Sequence, residues 1–212
     1  IYPEWFGALG DGVSDDQIYI SKSLSIGNNV RFSQTYKSSS FEISRNNVRL
    51  TFSKSGKIVF TGSSGSGLTI SGSGNVVKNG VFQNDLYFDG YMLKITGENT
   101  KIDSCKIGYT NKSSYIGNGV DIPYDRGCIG VLAPNCQILN NEVYNAEGIG
   151  VHNTRENSIF QNNLVRDNIL GMHLAYGGST GFGSSISVLG NRFINNNAGQ
   201  PSGFAFQGGD GV

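Results

Sequence analysis

The chain holds only two histidines, His152 and His173, and one segment, Tyr109 to Gly127, in which rings, carboxylates and a guanidinium crowd together. That segment gathers Tyr115, Asp121, Tyr124, Asp125 and Arg126, and a second long, glycine-rich segment from Ala175 to Ser185 presents Tyr176 and Phe182. Rings beside charges suit a sugar, because an aromatic face packs on C–H groups while the charged groups bind hydroxyls. Asp125 and Glu147, with Asp121 as substitute, are candidates for the acid and the nucleophile or base of glycoside hydrolysis, which needs carboxylates about 5 to 9 Å apart. Imidazole titrates near neutrality, so His173 or His152 is a candidate base for eliminating a uronic acid, with Arg126 or Arg155 neutralising the carboxylate. Tyr115, Tyr124, Arg126, His152 and Tyr176 are the substrate-binding candidates. The plain alternatives are a solvated loop, incidental surface acids and histidines without a catalytic role.

The elements that must position these residues show in a repeated phrase. "ILNNEVYNAEGIGV" and "IFQNNLVRDNILGMHL" align with Asn141 and Asn163 22 residues apart, and Val77 to Ile102 and Phe82 to Ile107 are each 25 apart. A period of this size marks a solenoid. Apolar residues alternate within each repeat, as in Ile129 and Val131, Ile149 and Val151, Met172 and Leu174, Phe204 and Phe206, so each is a short strand with one face inward. Strands that recur in one direction, with no room for a crossover helix, pair in parallel. The fold class is therefore all-β, a parallel β-helix of seven to eight coils, with Asn141, Asn163 and Asn191 in an internal ladder at about 4.8 Å spacing. Setting Ile129 over Ile149, 20 residues on, brings Asp125 one coil from Glu147. It also puts His173 in an outward column with Gly150 and Gly130, and His152 two positions further along its own strand.

Composition narrows the partners. Lys plus Arg equals Asp plus Glu at 16 each, so there is no basic field for nucleic acid. No apolar run approaches the roughly 18 residues of a membrane span, and no membrane insertion is expected. Cys105, Cys128 and Cys136 lack metal-ligand spacing and read as buried free thiols, with a Cys128–Cys136 disulfide as the alternative. Neither metal nor cofactor is implied.

The opening stretch carries three aspartates beside two glycines. Ser14 or Asp15 caps a short helix beginning near Asp16, with Ile20 and Leu24 on its buried face and Trp5-Phe6 packed beside it, while Gly10 and Gly12 permit a tight turn. "PEWFGALGDGVSDDQIYISKSL", residues 3 to 24, resembles the N-terminal motif of the pectate-lyase-like right-handed parallel β-helix superfamily, in its branch of bacteriophage tailspikes and tail-fibre depolymerases. Gln17, Ile18 and Tyr19 replace smaller residues usual there. The resemblance implies a capping segment over residues 1–27 and coils over 28–212, and "SGFAFQGGDGV", which starts a coil without a cap, makes truncation at the C-terminal end the expectation. It also implies that Asp11, Asp15 and Asp16 are turn and cap residues, a calcium site being the alternative. Finally, it implies a homotrimer on a virion tail or otherwise extracellular, which binds and cleaves a bacterial surface polysaccharide such as capsule or O-antigen. A bacterial polysaccharide lyase, hydrolase or epimerase of the same fold, and a non-catalytic carbohydrate-binding adhesin or structural rod, are the other functions this fold permits.

Overall fold

The computed structural model describes residues 1–111, 126–175, 185–196 and 204–207, with Ala175 and the last four described by backbone alone. The chain is a right-handed parallel β-helix. Its three sheets contain, among the described residues, eight strands in sheet A, which starts at Asp11–Asp15, seven in sheet B, from Asn29–Phe32, and seven in sheet C, from Phe41–Ile43. They stack into a solenoid of about six turns, fewer than the seven to eight coils expected.

Most strands are only three to five residues long, and several, such as Gln137–Leu139 and Ile159–Gln161, are followed directly by a residue in the left-handed region. Among the described residues, eleven non-glycine positions have positive φ, nine of them asparagines, including Asn140 at 57° and Asn162 at 56°. Asn tolerates this conformation because its short polar side chain bonds locally. The residue that follows turns inward. Asn141 Nδ2 donates to Asn163 Oδ1 at 3.0 Å, and Asn163 Nδ2 to Asn191 Oδ1 at 2.9 Å; the backbone N–H groups of Asn141 and Asn163 donate to the same two oxygens. The expected ladder is present, and the chain extends it backward, since the Cys105 N–H donates to Asn141 Oδ1 at 2.9 Å. A second ladder, not foreseen, runs from Ala146 through Asn168 to Asn196. Each stack satisfies polar groups that would otherwise be buried without partners.

Sheets A and B alternate buried with half-exposed positions, as in Lys57–Phe60 and Arg49–Phe52. Their inward columns join into one core in which Val77 pairs with Ile102 and Phe82 with Ile107. Phe32, Phe52, Phe60 and Phe82 fill its N-terminal end with ring centroids 4.7 to 6.3 Å apart. The helix α1 (Gln17–Ile26) closes that end with Ile20 and Leu24 buried. Asp16 is fully buried and accepts the N–H groups of Leu9 and Gly10, Asp11 accepts those of Val13 and Ser14, and Asp15 accepts that of Gln17 at the helix start. All three aspartates shape the turn. Gly10 and Gly12, at φ 62° and 72°, supply the left-handed conformations expected of them.

Three expectations are corrected. Trp5 does not pack on the helix: it is 68% exposed and tilts against Tyr2, whereas Phe6 lies under the Lys22 ammonium. Ile129 pairs with Val151, not Ile149, which moves the columns of sheet C by two residues. His152 and His173 are therefore directly paired neighbours in one column with Gly130, and Gly150 stands outside it. The three cysteines are free and buried; burial pushes the thiols of Cys105 and Cys136 up to about 12 and about 11, and that of Cys128 further.

Candidate functional site

Sheet C departs from the alternation of its neighbours. Gly127–Val131 and Ile149–Asn153 are buried at every position, so the outward side of these strands is shielded as well as the core side. The outward column runs Lys94, Gly130, His152, His173 in adjacent strands, ending at Ala205 in the register. With no side chain at Gly130, a neighbour crosses it. The Tyr91 ring lies where a Cβ on Gly130 would be, at 2.5 Å, and its hydroxyl reaches His152 Nδ1 at 2.5 Å. The His152 and His173 rings stack with centroids 5.0 Å apart.

Beside this cluster opens a groove of about 580 Å3 whose lining includes Asp89, Tyr91, Lys94, Leu132 and His152. Asp89 is held by the Gly65 N–H, and Ser66 Oγ accepts the Tyr91 N–H at 3.3 Å. Lys94 is half-buried and has no carboxylate within ion-pair distance among the described residues. Tyr91 and His152 are buried behind this surface, and the half-buried Lys94 and Leu132 offer it a cation beside an apolar patch, groups that can hold a hydroxylated or anionic compound. No group of three or more potential metal-ligating side chains occurs among the described residues.

Of the residues singled out in the sequence, Asp121, Asp125, Tyr115, Tyr124 and Tyr176 lie outside the described residues. His152 and His173 come together. Glu147 is half-buried in the bend before Ile149–Asn153, five residues before His152 in the chain. Burial, and then the neighbouring Cys128, Tyr87 and Glu147, push the Tyr109 phenol well above its usual range. Arg126 accepts the Ile149 N–H through its carbonyl at 3.2 Å, and its Nε is buried without a partner among the described residues. Tyr91, Lys94 and Asp89 escaped the sequence reading. Lys94 and Gly130 pair although 36 residues apart, because the long Tyr109 to Gly127 segment interrupts the period that would have aligned them.

No known family profile matches the chain, and no curated protein matches it in sequence. Among solved structures, its fold is the parallel β-helix of tailspike type. The chain is similar to the Dettilon tailspike protein, with a TM-score of 0.59 and 13% identity, over 92% of this chain and 45% of that one. It thus spans less than half of that tailspike. It is also similar to the Streptococcus pneumoniae surface adhesin PfbA, with a TM-score of 0.47 and 15% identity over 92% of this chain and 77% of PfbA. For the enzymatically active domain of bacteriophage CBA120 tailspike protein 2, the TM-score is 0.43 and the identity 10%, over 97% of this chain and 42% of that one.

Proposed function

We infer that this chain is the glycan-binding β-helix of a tailspike-type protein, extracellular on a virion tail and trimeric in the whole assembly, and that it engages a bacterial surface polysaccharide. The observation that carries this reading is the groove of sheet C, where Tyr91, Lys94 and His152 line one wall. There the Lys94 ammonium can bind the oxygens of a sugar while Leu132 packs on its C–H groups. Cleavage follows if a positioned acid or base acts on the bound chain.

A second site for that chemistry is favoured by one observation. Gly127 pairs with Ile149, 22 residues on, the same interval that separates Asp125 from Glu147. Two carboxylates at that sequence interval are the type of pair glycoside hydrolysis uses, Asp125 lying outside the described residues. The test is incubation of the protein with a panel of capsular and lipopolysaccharide glycans, following fragment mass and the absorbance of an unsaturated uronate. Shortening of one glycan without that absorbance, abolished in Asp125→Asn and Glu147→Gln, supports hydrolysis at the carboxylates. Shortening with the absorbance supports elimination. A glycan bound but never shortened makes the chain an adhesin, and a panel in which none is bound contradicts the whole reading.

A further inference from the structure

The chain has as many acids as bases, 16 of each, but sheet B does not share them evenly. On its first four strands, Asn29–Phe32, Arg49–Phe52, Val76–Lys78 and Lys101–Asp103, alternation leaves two outward columns. Register places Asn29, Arg49, Val76 and Lys101 in one and Arg31, Thr51, Lys78 and Asp103 in the other. Each strand thus contributes one cation, and the cations step from column to column in the order Arg31, Arg49, Lys78, Lys101. At about 4.8 Å between strands, the four span about 14 Å along the solenoid axis. The one acid on this face, Asp103, is shared by Lys78 at 3.7 Å and Lys101 at 3.6 Å. Arg31 and Arg49 are exposed, with no carboxylate within ion-pair distance among the described residues. Four cations against one acid leave a local excess of three positive charges. The flanking corners do not cancel it, since they add Arg45 and Lys54 against Glu98. The next two strands, Gln137–Leu139 and Ile159–Gln161, carry no charge at all.

We propose that this face of sheet B is a further binding surface, separate from the groove of sheet C: a track along the solenoid axis for a linear polyanion, specifically an acidic glycan. The guanidinium forks of Arg31 and Arg49 match carboxylates in paired hydrogen bonds, and Lys78 and Lys101 act as point charges. Asn29 and Thr51, directly paired with Arg49 and Arg31, offer amide and hydroxyl groups to sugar hydroxyls. No aromatic ring stands on the outward face of these four strands. The stacking platforms that single-stranded nucleic acid sites combine with their cations are therefore missing. That the polyanion is a glycan rests on the functional reading above; the track itself rests on charge and register.

Carboxymethyl-dextran and unmodified dextran share a backbone and differ in charge, so calorimetry of the intact chain with each polymer reads the track. The acidic polymer should bind, less tightly as salt is raised, and the neutral one should not. Replacing both arginines, Arg31→Gln with Arg49→Gln, should weaken binding about tenfold or more through lost charge-assisted contacts. Lys94→Ala, in the groove of sheet C, should have a smaller effect on this polymer. Asp103→Asn frees Lys78 and Lys101 of their shared acid and should strengthen binding severalfold, a gain that misfolding does not produce. Failure of carboxymethyl-dextran to bind, binding that the arginine substitutions leave intact, or an equal loss with Lys94→Ala overturns the proposal. Equal affinity for single-stranded DNA overturns the assignment to a glycan. Binding of the acidic polymer while every polysaccharide of the panel stays unbound would count against the functional reading and not against the track.

Discussion

The outward faces of sheets A and C use one steric device to different ends. On sheet A the Tyr144 ring lies over Gly108, and its hydroxyl accepts a hydrogen bond from Gln83 Nε2, two strands away, at 2.8 Å. On sheet C the Tyr91 ring lies over Gly130 and reaches His152, again two strands away. Around Tyr144 every charge is answered. Arg166 sits over the ring at 4.9 Å and binds Glu142 at 2.7 Å and Asp167 at 2.8 Å, while Lys106 binds Glu142 at 3.0 Å. Around Tyr91 the cation Lys94 has no such partner among the described residues and faces a groove. A tyrosine laid across a glycine is thus a general way for this solenoid to tie three coils together. Only where the neighbouring charges are left uncancelled does the surface keep binding capacity for a ligand.

The comparison breaks most visibly at the glycines. A Cβ at Gly108 would stand 2.3 Å from the Tyr144 carbonyl oxygen, whereas at Gly130 the first obstacle is the Tyr91 side chain at 2.5 Å. Backbone gives less readily than a ring, so Gly108→Ala should cost about 2 to 3 kcal/mol and Gly130→Ala about 1 to 2 kcal/mol. Equal losses in chemical denaturation would deny the difference between the two faces.

Asn141→Ala and Asn163→Ala should each cost about 1 to 3 kcal/mol, as buried ladder partners lose their bonds. Glycan binding should persist at temperatures where the variants are folded. Unchanged melting with abolished binding would assign the ladder to the site instead of the scaffold.

The smallest effect belongs to the charges of sheets A and B, Glu142 on the first and Asp103 on the second. Burial opposes ionisation of Glu142, but the hydrogen bonds and charges of Arg166 and Lys106 outweigh it and hold the carboxyl below its usual range. For Asp103, burial is likewise outweighed, by Asn140, Ser104, Lys101 and Lys78. A depressed carboxyl stabilises the fold fully above its unfolded value, about 4, and this contribution disappears as pH falls through the folded value. Stability should therefore decline below about pH 4. Glu142→Gln should remove part of that decline, up to about 1 kcal/mol for so partly exposed a network. A pH profile identical to that of the parent would show that the network contributes nothing.

Much of the scaffold was legible because the turns are local chemistry. Asn140-Asn141 and Asn162-Asn163 each pair a left-handed turn residue with an inward ladder residue, and their 22-residue spacing disclosed the coil. The second ladder was harder to read, because Asp167 takes the left-handed position before Asn168 and only one asparagine of the pair remains visible. Register on sheet C failed for a physical reason. Ile129, Ile149 and Val151 are interchangeable in a buried column, so apolar alternation fixes which face is inward but not which residue pairs with which. The two-residue error separated His152 from His173 and hid the reach of Tyr91 across Gly130. Long-range contacts of this kind, 61 residues apart, leave no local signal.

The central claim is that the outward face of sheet C, and not that of sheet A, holds the ligand. Its most direct test is the affinity of Lys94→Ala and Lys106→Ala for a glycan that the parent protein binds, measured side by side by calorimetry. Each replaces one lysine on an outward face, and Lys106 has its charge answered by Glu142. Lys94→Ala should weaken binding about tenfold or more, the loss of one charge-assisted contact, and Lys106→Ala should leave it unchanged. Undiminished binding by Lys94→Ala, or an equal loss in both variants, would contradict the assignment.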